Sequence, residues 1–295
     1  MGPSDLSRRA LVVIVGVPAV VGALYVGGWV LTVPVALLGA QAAAETYDLA
    51  EARDVRPFRW LGMFVAGSYV LFAAGHPTFR SLSPWVLGAV LLLSAASLVM
   101  SMATRWPDGK PLAAAAVTVF GALYGGLALA FVPLLRALPA ELGWGGTPPS
   151  PWAGVAVVAL PLATTWIGDG SAYFVGTAWG RKRMAPTLSP GKSWVGAYAG
   201  VGGAALAAVG WYAVSVPVLS GLELGGLWQA ALAGAVLGVV AQVGDLAESL
   251  LKREAGAKDS GGVFPGHGGV LDRTDSLIFA LPVAYLIFLF TTVSG

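Results

Sequence analysis

Long apolar runs dominate this chain, and they are the strongest constraint on its fold. Helices of about twenty apolar residues are long enough to cross the roughly 30 Å of bilayer hydrocarbon. The composition agrees, since 57% of the 295 residues are hydrophobic and the mean hydropathy is +0.77. The sequence therefore predicts an all-α fold, a polytopic integral membrane helical bundle of about nine transmembrane helices. The predicted spans are residues 10–26, 29–45, 60–75, 84–103, 112–133, 152–175, 194–214, 227–247 and 277–293.

The distribution of basic residues tests this count. With the N-terminus in the cytoplasm, alternate loops on the cytoplasmic side hold all of the 17 Lys and Arg residues except Arg80 and Arg136. Cytoplasmic loops of membrane proteins are enriched in Lys and Arg, and an error of one span would scatter these charges between the two sides. The pattern therefore predicts nine spans with a cytoplasmic N-terminus and the C-terminus on the opposite side.

The chain divides by content into two parts. The sequence predicts an N-terminal scaffold of about five transmembrane helices over residues 1–150, and a C-terminal transmembrane part over residues 151–295 that carries the candidate site, with cytoplasmic site loops at 176–193 and 248–276. Cysteine is absent, which excludes disulfides and thiolate metal sites. Glycines spaced by four residues within apolar runs let helix backbones approach closely. Such pairs are Gly121 with Gly125, Gly196 with Gly200, and Gly234 with Gly238.

Charged residues concentrate between residues 244 and 276, although only 11% of the chain is charged. Spacings of three, four and seven residues place polar groups on one side of a helix. Two helix ends therefore present carboxylates, and the Gly-rich loop between them carries Lys258 and His267. The polar positions are Asp245, Glu248, Ser249 and Lys252 on the first helix, and Asp272, Asp275 and Ser276 on the second.

The residue types in this stretch indicate phosphate chemistry. Mg²⁺ prefers hard oxygen ligands, commonly one or two carboxylates together with substrate phosphates, and Asp245 and Asp272 supply them if the two helix ends converge. Basic side chains nearby would neutralise the phosphate oxygens. The reaction predicted is phosphoryl or nucleotidyl transfer. The basic residues are Lys252, Arg253, Lys258 and Arg273.

Two further polar features precede this stretch. Asp169 lies at the end of an apolar run, where an ionisable group is costly and indicates either a functional polar interior or a helix-pairing acid. The segment Ser189-Pro-Gly-Lys-Ser precedes another apolar run, and a helix start beside Lys192 favours a phosphate-binding site. Anchoring of basic residues to lipid headgroups is the alternative. The segment does not have the spacing of a Walker A loop.

The stretch from Ser249 to Asp275, SLLKREAGAKDSGGVFPGHGGVLDRTD, resembles the signature of the phosphatidate cytidylyltransferase (CDP-diacylglycerol synthase) family. The segments that start at Asp169 and Ser189 resemble the family's preceding segments more weakly. Gly191 and Val195 depart from the family pattern, where a Lys and an acidic or amide residue are common. The matching positions are Ser249, Lys252, Arg253, Lys258, Asp259, Pro265, His267, Gly268, Gly269, Asp272, Arg273 and Asp275.

This resemblance implies transfer of CMP from CTP to phosphatidic acid, which gives CDP-diacylglycerol and pyrophosphate for phospholipid biosynthesis. It implies magnesium as cofactor and leaves a second cation open. Asp245 and Asp272 would be the metal ligands, and Lys258 and Asp275 would join them in catalysis. His267 would bind substrate or hold its loop. The remaining substrate-binding residues would be Asp169, Ser189, Lys192, Lys252, Arg253 and Arg273.

The implied partners are CTP, phosphatidic acid and the lipid bilayer, with no nucleic acid, and the Gly-rich bundle leaves a homodimer open. The expected location is a bacterial-type inner (cell) membrane with the active site on the cytoplasmic side, where nucleotides are found. Two other functions remain open on the sequence alone. One is a different CTP-using membrane lipid transferase or kinase, and the other is an ion-coupled transporter.

Overall fold

The computed structural model describes residues 16–222, 225–263 and 268–293, and this part of the chain is almost entirely helical. Apart from turns and loops, the exception in these ranges is a pair of short strands that form an antiparallel hairpin. The predicted all-α membrane bundle is therefore confirmed. The elements are α1 (Gly16–Val26), α2 (Gly28–Glu51), α3 (Arg59–Gly75), α4 (Phe79–Thr104), α5 (Pro111–Gly121), a π-helical segment (Ala122–Leu127), α6 (Phe131–Leu142), α7 (Pro151–Trp179), β1 (Arg183–Ala185), β2 (Ser189–Ser193), α8 (Trp194–Ser215), α9 (Leu227–Ala255) and α10 (Leu271–Val293).

Each predicted apolar run overlaps a described helix, but the helices differ in length. Six of those described are long and apolar enough to cross a membrane. A seventh crossing arises if α5, the π-helical segment and α6 form one span, which bends by 44°. The described part of α1 is shorter, and α3 has 17 residues. The chain is thus an integral membrane protein, whereas nine spans and a cytoplasmic N-terminus remain predictions.

The first two apolar runs form two helices with a break at Gly27. Its φ of +67° lies in the left-handed region, which glycine adopts without steric cost. The side chain of Arg136 reaches this break and donates from Nε to the Leu24 carbonyl at 2.5 Å and from Nη2 to the Tyr25 carbonyl at 3.2 Å. Basic groups commonly satisfy the last carbonyls of a helix. Arg136 therefore ties the end of α1 to α6.

The glycine pairs predicted as packing seams do lie at close helix contacts. A Cβ atom at Gly125 would lie 2.6 Å from the backbone nitrogen of Ala43, and one at Gly196 would lie 2.7 Å from the Ala172 carbonyl oxygen. At Gly234 the nearest atom would be the Ala204 carbonyl oxygen, at 2.5 Å. The helices are held together by such backbone approaches, which larger residues would prevent.

The same kind of contact positions the polar ends of α9 and α10. A Cβ at Gly244 would lie 2.6 Å from the backbone oxygen of Asp275 and 3.2 Å from the Cα of Ser276. Because the two backbones touch here, Asp245 on α9 and Asp275 on α10 point into the same region. The predicted convergence of two carboxylate-bearing helix ends is thus confirmed.

We expect Gly234→Ala to destabilise the bundle, because the added methyl would meet the Ala204 backbone, which cannot move without separating α8 from α9. The expected loss is about 1–3 kcal/mol in the free energy of unfolding, measured by thermal or chemical unfolding in detergent. The matched control is Gly202→Ala on α8, where a Cβ meets nothing within 4 Å. Equal stability of the two variants would contradict the close packing of α8 against α9 at Gly234.

Candidate active site

A cavity of about 510 Å³ lies where α7, the β-hairpin, α8, α9 and α10 meet. Its wall combines charged groups with less polar residues, among them Ala172, Tyr173 and Met184. Most of the sequence-predicted acidic residues are therefore at one cavity. The predicted site residues in its lining are Asp169, Ser189, Lys192, Asp245, Asp272 and Asp275.

The β-hairpin brings Ser189 and Lys192 to this cavity. Both residues lie on β2, and the helix begins only at Trp194, with Ser193 as its N-cap accepting a hydrogen bond from the backbone N–H of Gly196 at 3.2 Å. The sequence segment around Lys192 is thus a strand leading into a helix rather than the helix start itself. Ser193, and not Ser189, caps this helix.

Lys192 forms an ion pair with Asp245, with its Nζ 2.6 Å from Oδ2. Both residues line the cavity, so the pair is part of its wall, although the Nζ atom itself is buried. This contact joins β2 to α9 across the cavity. It also places a cation and a carboxylate side by side. The cation could bind a phosphate, and the carboxylate could bind a divalent ion.

Asp169 and Asp275 add two more carboxylates to this region. Each interacts repulsively with the charge of Asp245, and Asp275 is also repelled by Asp169. Oδ1 of Asp275 accepts a hydrogen bond from the backbone N–H of Ser276 at 2.7 Å. The three acids concentrate negative charge at the cavity, and Lys192 offsets only part of it. A bound divalent cation would relieve this repulsion.

Asp272 has a different environment, because protein donors occupy both of its oxygens. Oδ1 lies 2.6 Å from Nζ of Lys252, and Oδ2 accepts from the backbone N–H groups of Ser260 at 2.9 Å and Gly269 at 2.8 Å. The Ser260 hydroxyl lies 3.0 Å from the same oxygen. These contacts connect the loop after α9 to the first turn of α10. Asp272 also lines the cavity, but both of its carboxylate oxygens contact donors from α9 and the loop.

Lys252 is held between two carboxylates rather than facing the cavity. Its Nζ lies 2.5 Å from Oε2 of Glu248 and 2.6 Å from Oδ1 of Asp272. The exposed fractions of the Lys252, Glu248 and Asp272 side chains are 13%, 1% and 8%. Glu248 and Lys252 do share one helix face, as the spacing predicted, and the contact of Lys252 with Asp272 joins α9 to α10 in a buried setting.

Glu45 is a site residue that the sequence reasoning missed. It lies on α2 and is 1% exposed, and its carboxylate accepts hydrogen bonds from the backbone N–H groups of Val270 at 2.9 Å and Leu271 at 2.8 Å. It also accepts from the Ser260 hydroxyl at 2.9 Å and from Gln41 at 3.3 Å. The available signal was an acidic residue at the end of an apolar run, which is costly in a membrane helix.

Close approach of these carboxylates explains why glycines are needed in the loop. A Cβ at Gly268, where φ is +79°, would lie 2.6 Å from Oδ2 of Asp272. A Cβ at Gly261 would lie 2.7 Å from Oε1 of Glu45. Larger residues would therefore displace the acids from their backbone donors. His267, predicted to bind substrate or hold this loop, lies outside the described residues.

The remaining predicted basic residues lie outside the cavity lining. Arg253 is exposed and donates from Nε to the Leu188 carbonyl and from Nη1 to the Ala257 carbonyl, both at 3.2 Å. It therefore ties the end of α9 to the β-hairpin. Lys258 and Arg273 are also exposed. Phosphate binding by these three side chains remains a prediction.

The predicted magnesium site is present only as a set of candidate ligands. Within the described ranges, no group of three His, Cys, Asp or Glu side chains has the arrangement that holds a metal ion. The chemistry of the donors nevertheless fits magnesium, because Asp169, Asp245 and Asp275 supply carboxylate oxygens at one cavity. Of the predicted pair, Asp245 makes an ion pair with Lys192, and Asp272 contacts Lys252 and two backbone N–H groups. Both line the cavity, and their role as metal ligands remains a prediction.

Comparison with known proteins supplies independent information. The profile of the cytidylyltransferase family matches residues 7–291. A Brucella abortus protein named phosphatidate cytidylyltransferase is 33% identical over 286 residues, covering 96% of this chain and 93% of that protein. Proteins with the same name from Synechocystis and Pseudomonas aeruginosa are 30% and 39% identical, covering 95% and 68% of this chain and 95% and 69% of their own lengths.

We expect Lys252→Ala to lower the free energy of unfolding by about 3–5 kcal/mol, because two buried carboxylates lose their shared cation. Chemical unfolding in detergent measures this loss, and Lys182→Ala, at an exposed position, is the control. Adding Glu248→Gln to Lys252→Ala should recover part of the stability, since one uncompensated charge is removed. Unchanged stability of Lys252→Ala would contradict the buried pairing.

Proposed function

Because this chain belongs to the cytidylyltransferase family, we propose that it transfers CMP from CTP to phosphatidic acid, giving CDP-diacylglycerol and pyrophosphate. The observation that carries this proposal is the cavity that Asp169, Asp245, Asp275 and Lys192 line together. Such a set of hard oxygen ligands and a cation suits a nucleoside triphosphate with its divalent ion. The names of the Brucella, Synechocystis and Pseudomonas relatives support phosphatidic acid as the acceptor.

The chemistry needs little from a general base. A phosphate oxygen of phosphatidic acid is already anionic, so it can attack the α-phosphorus of CTP directly. The new P–O bond forms as the bond to the β-phosphate breaks, and pyrophosphate leaves with that electron pair. The main barriers are repulsion between two polyanions and charge on the leaving group, which positioned cations relieve.

The residues at the cavity divide these tasks. We assign the divalent ion to Asp245, with Asp169 and Asp275 adjacent, and Asp272 at the edge of the same cavity. Magnesium, when bound there, would offset the negative charge of the triphosphate. Lys192 would exchange its Asp245 contact for a phosphate oxygen, and Ser189 is near enough in the lining to donate a hydrogen bond.

We further propose that the protein lies in a bacterial inner membrane, with the cavity on the cytoplasmic side. Contacts among the basic loops support this orientation. Nζ of Lys110 donates to the Arg53 carbonyl at 3.1 Å, Nε of Arg105 donates to the Arg56 carbonyl at 3.2 Å, and Nε of Arg53 donates to the Glu254 carbonyl. The loops rich in Lys and Arg therefore meet at the end of the bundle near the cavity, as the positive-inside rule requires of a cytoplasmic face.

The apolar part of the cavity lining suits a lipid acceptor. Moving a diacylglyceryl chain from hydrocarbon to water costs about 0.8 kcal/mol for each CH₂ group. The enzyme must therefore bind phosphatidic acid while the lipid stays in the bilayer. Tyr173, Ala172 and Ala197 line the cavity from α7 and α8, the two long helices that flank it. We propose that the lipid headgroup enters laterally while CTP enters from the cytoplasm.

The reaction is tested by incubating purified protein with phosphatidic acid, magnesium and CTP labelled at the α-phosphate or, separately, at the γ-phosphate. We expect the α-label in a CMP-bearing lipid and the γ-label in pyrophosphate. Transfer of the γ-label to lipid would instead identify a kinase. Ion flux in proteoliposomes without CTP turnover would identify a transporter, and either result would overturn the proposal.

Asp245→Asn should slow turnover by about 100-fold or more, equivalent to about 2.7 kcal/mol of transition-state free energy, because it removes a charge at the metal and phosphate site. The kcat for CMP transfer is the measurement. Glu254→Gln, an exposed acid in the last turn of the same helix, is the control and should keep normal turnover. Equal activity of the two variants would rule out the role assigned to Asp245.

A further inference from the structure

Glu45 is the one buried carboxylate near the cavity that comes from α2 and not from the catalytic part defined by sequence. It does not line the cavity, and its partners are all donors: the N–H groups of Val270 and Leu271, the Ser260 hydroxyl and the Gln41 amide. Only an acceptor group with two oxygens satisfies this set. A glutamine would keep one acceptor oxygen and turn N–H groups toward other donors.

The two backbone donors belong to the start of α10. The first N–H groups of a helix have no partner within the helix, and the positive end of its dipole favours a negative charge there. Val270 precedes Leu271, the first residue of α10, and both amides donate to Glu45. Glu45 therefore caps α10 from another helix, with a group that is 225 residues away in the chain from Val270.

Ser260 extends this anchor to Asp272. Its hydroxyl lies 2.9 Å from Oε2 of Glu45 and 3.0 Å from Oδ2 of Asp272, and its single proton can be donated to only one of them at a time. Its backbone N–H donates to the same Asp272 oxygen at 2.9 Å. A displacement of Glu45 would therefore shift Ser260 and, through it, the side chain of Asp272 at the cavity edge.

We propose that Glu45 is a positioning residue for CMP transfer, which holds the loop at Ser260 and the first turn of α10 so that Asp272 and Asp275 stay in place at the cavity. This inference rests on the proposed function for its effect on turnover. Its structural part, the anchoring of Val270 and Leu271, does not depend on the reaction.

The test compares Glu45→Gln, Ser260→Ala and the double variant with Glu51→Gln, an exposed acid on the same helix. Glu45→Gln should lower kcat by about 10-fold to 100-fold, as loss of a supporting group commonly does, with little change in KM for CTP. The Val270 and Leu271 amides should exchange faster with deuterium. Glu51→Gln should match the unsubstituted protein in both measurements.

The double variant separates positioning from general weakening. If Glu45 and Ser260 act through one chain of contacts, the double variant should be no slower than Glu45→Gln alone, because coupled effects are not additive. Additive losses, a normal kcat in folded Glu45→Gln, or unchanged exchange at Val270 and Leu271 would each overturn the inference.

Two further outcomes keep the test decisive. If Glu45→Gln fails to fold, Ser260→Ala alone decides, since folded Ser260→Ala with a normal kcat would contradict the link to Asp272. If the unsubstituted protein makes no CMP-bearing lipid, the proposed function fails, and amide exchange at Val270 and Leu271 still decides whether Glu45 anchors α10.

Discussion

A buried chain of acids and their donors holds the polar end of this bundle together. It runs from Glu45 on α2 through Ser260 to Asp272 on α10, and from there through Lys252 to Glu248 on α9. In a low-dielectric interior, such groups are stabilising only if every charge is paired or hydrogen-bonded. Loss of one partner leaves a buried charge unpaired, which destabilises the fold. The positions of three helices and one loop therefore depend on a few specific contacts.

The small residues make this network possible. Close backbone contact at Gly244 brings α9 against α10, so that Lys252 can reach Asp272. Glycines at 261 and 268 let the loop backbone pass within hydrogen-bonding distance of two carboxylates. Apolar packing alone has no directional preference. Here it supplies the proximity, and the polar contacts then select one arrangement of the helix ends.

Sequence reasoning predicted local features well and long-range partners poorly. The spacing of Asp245, Glu248 and Lys252 predicted one helix face, and that face is present because periodicity is a local property. It could not identify Glu45, whose partner Ser260 is 215 residues away. Nor could it show that the backbone path of the loop turns N–H groups toward Asp272, whose role as a metal ligand stays a prediction.

Partners, more than spacing, distinguish the acids around the cavity. Glu45, Glu248 and Asp272 form hydrogen bonds or ion pairs with protein groups. Their partners are backbone amides, Ser260 and Lys252. Asp169, Asp245 and Asp275 share the cavity and repel one another, with Lys192 as a partial counter-ion. A cation bound among carboxylates that repel one another would relieve that repulsion, whereas acids already paired within the protein gain less from a ligand. The first group therefore joins α2, α9 and α10 around the cavity, and the second group is the set to which we assign the substrate and its divalent ion.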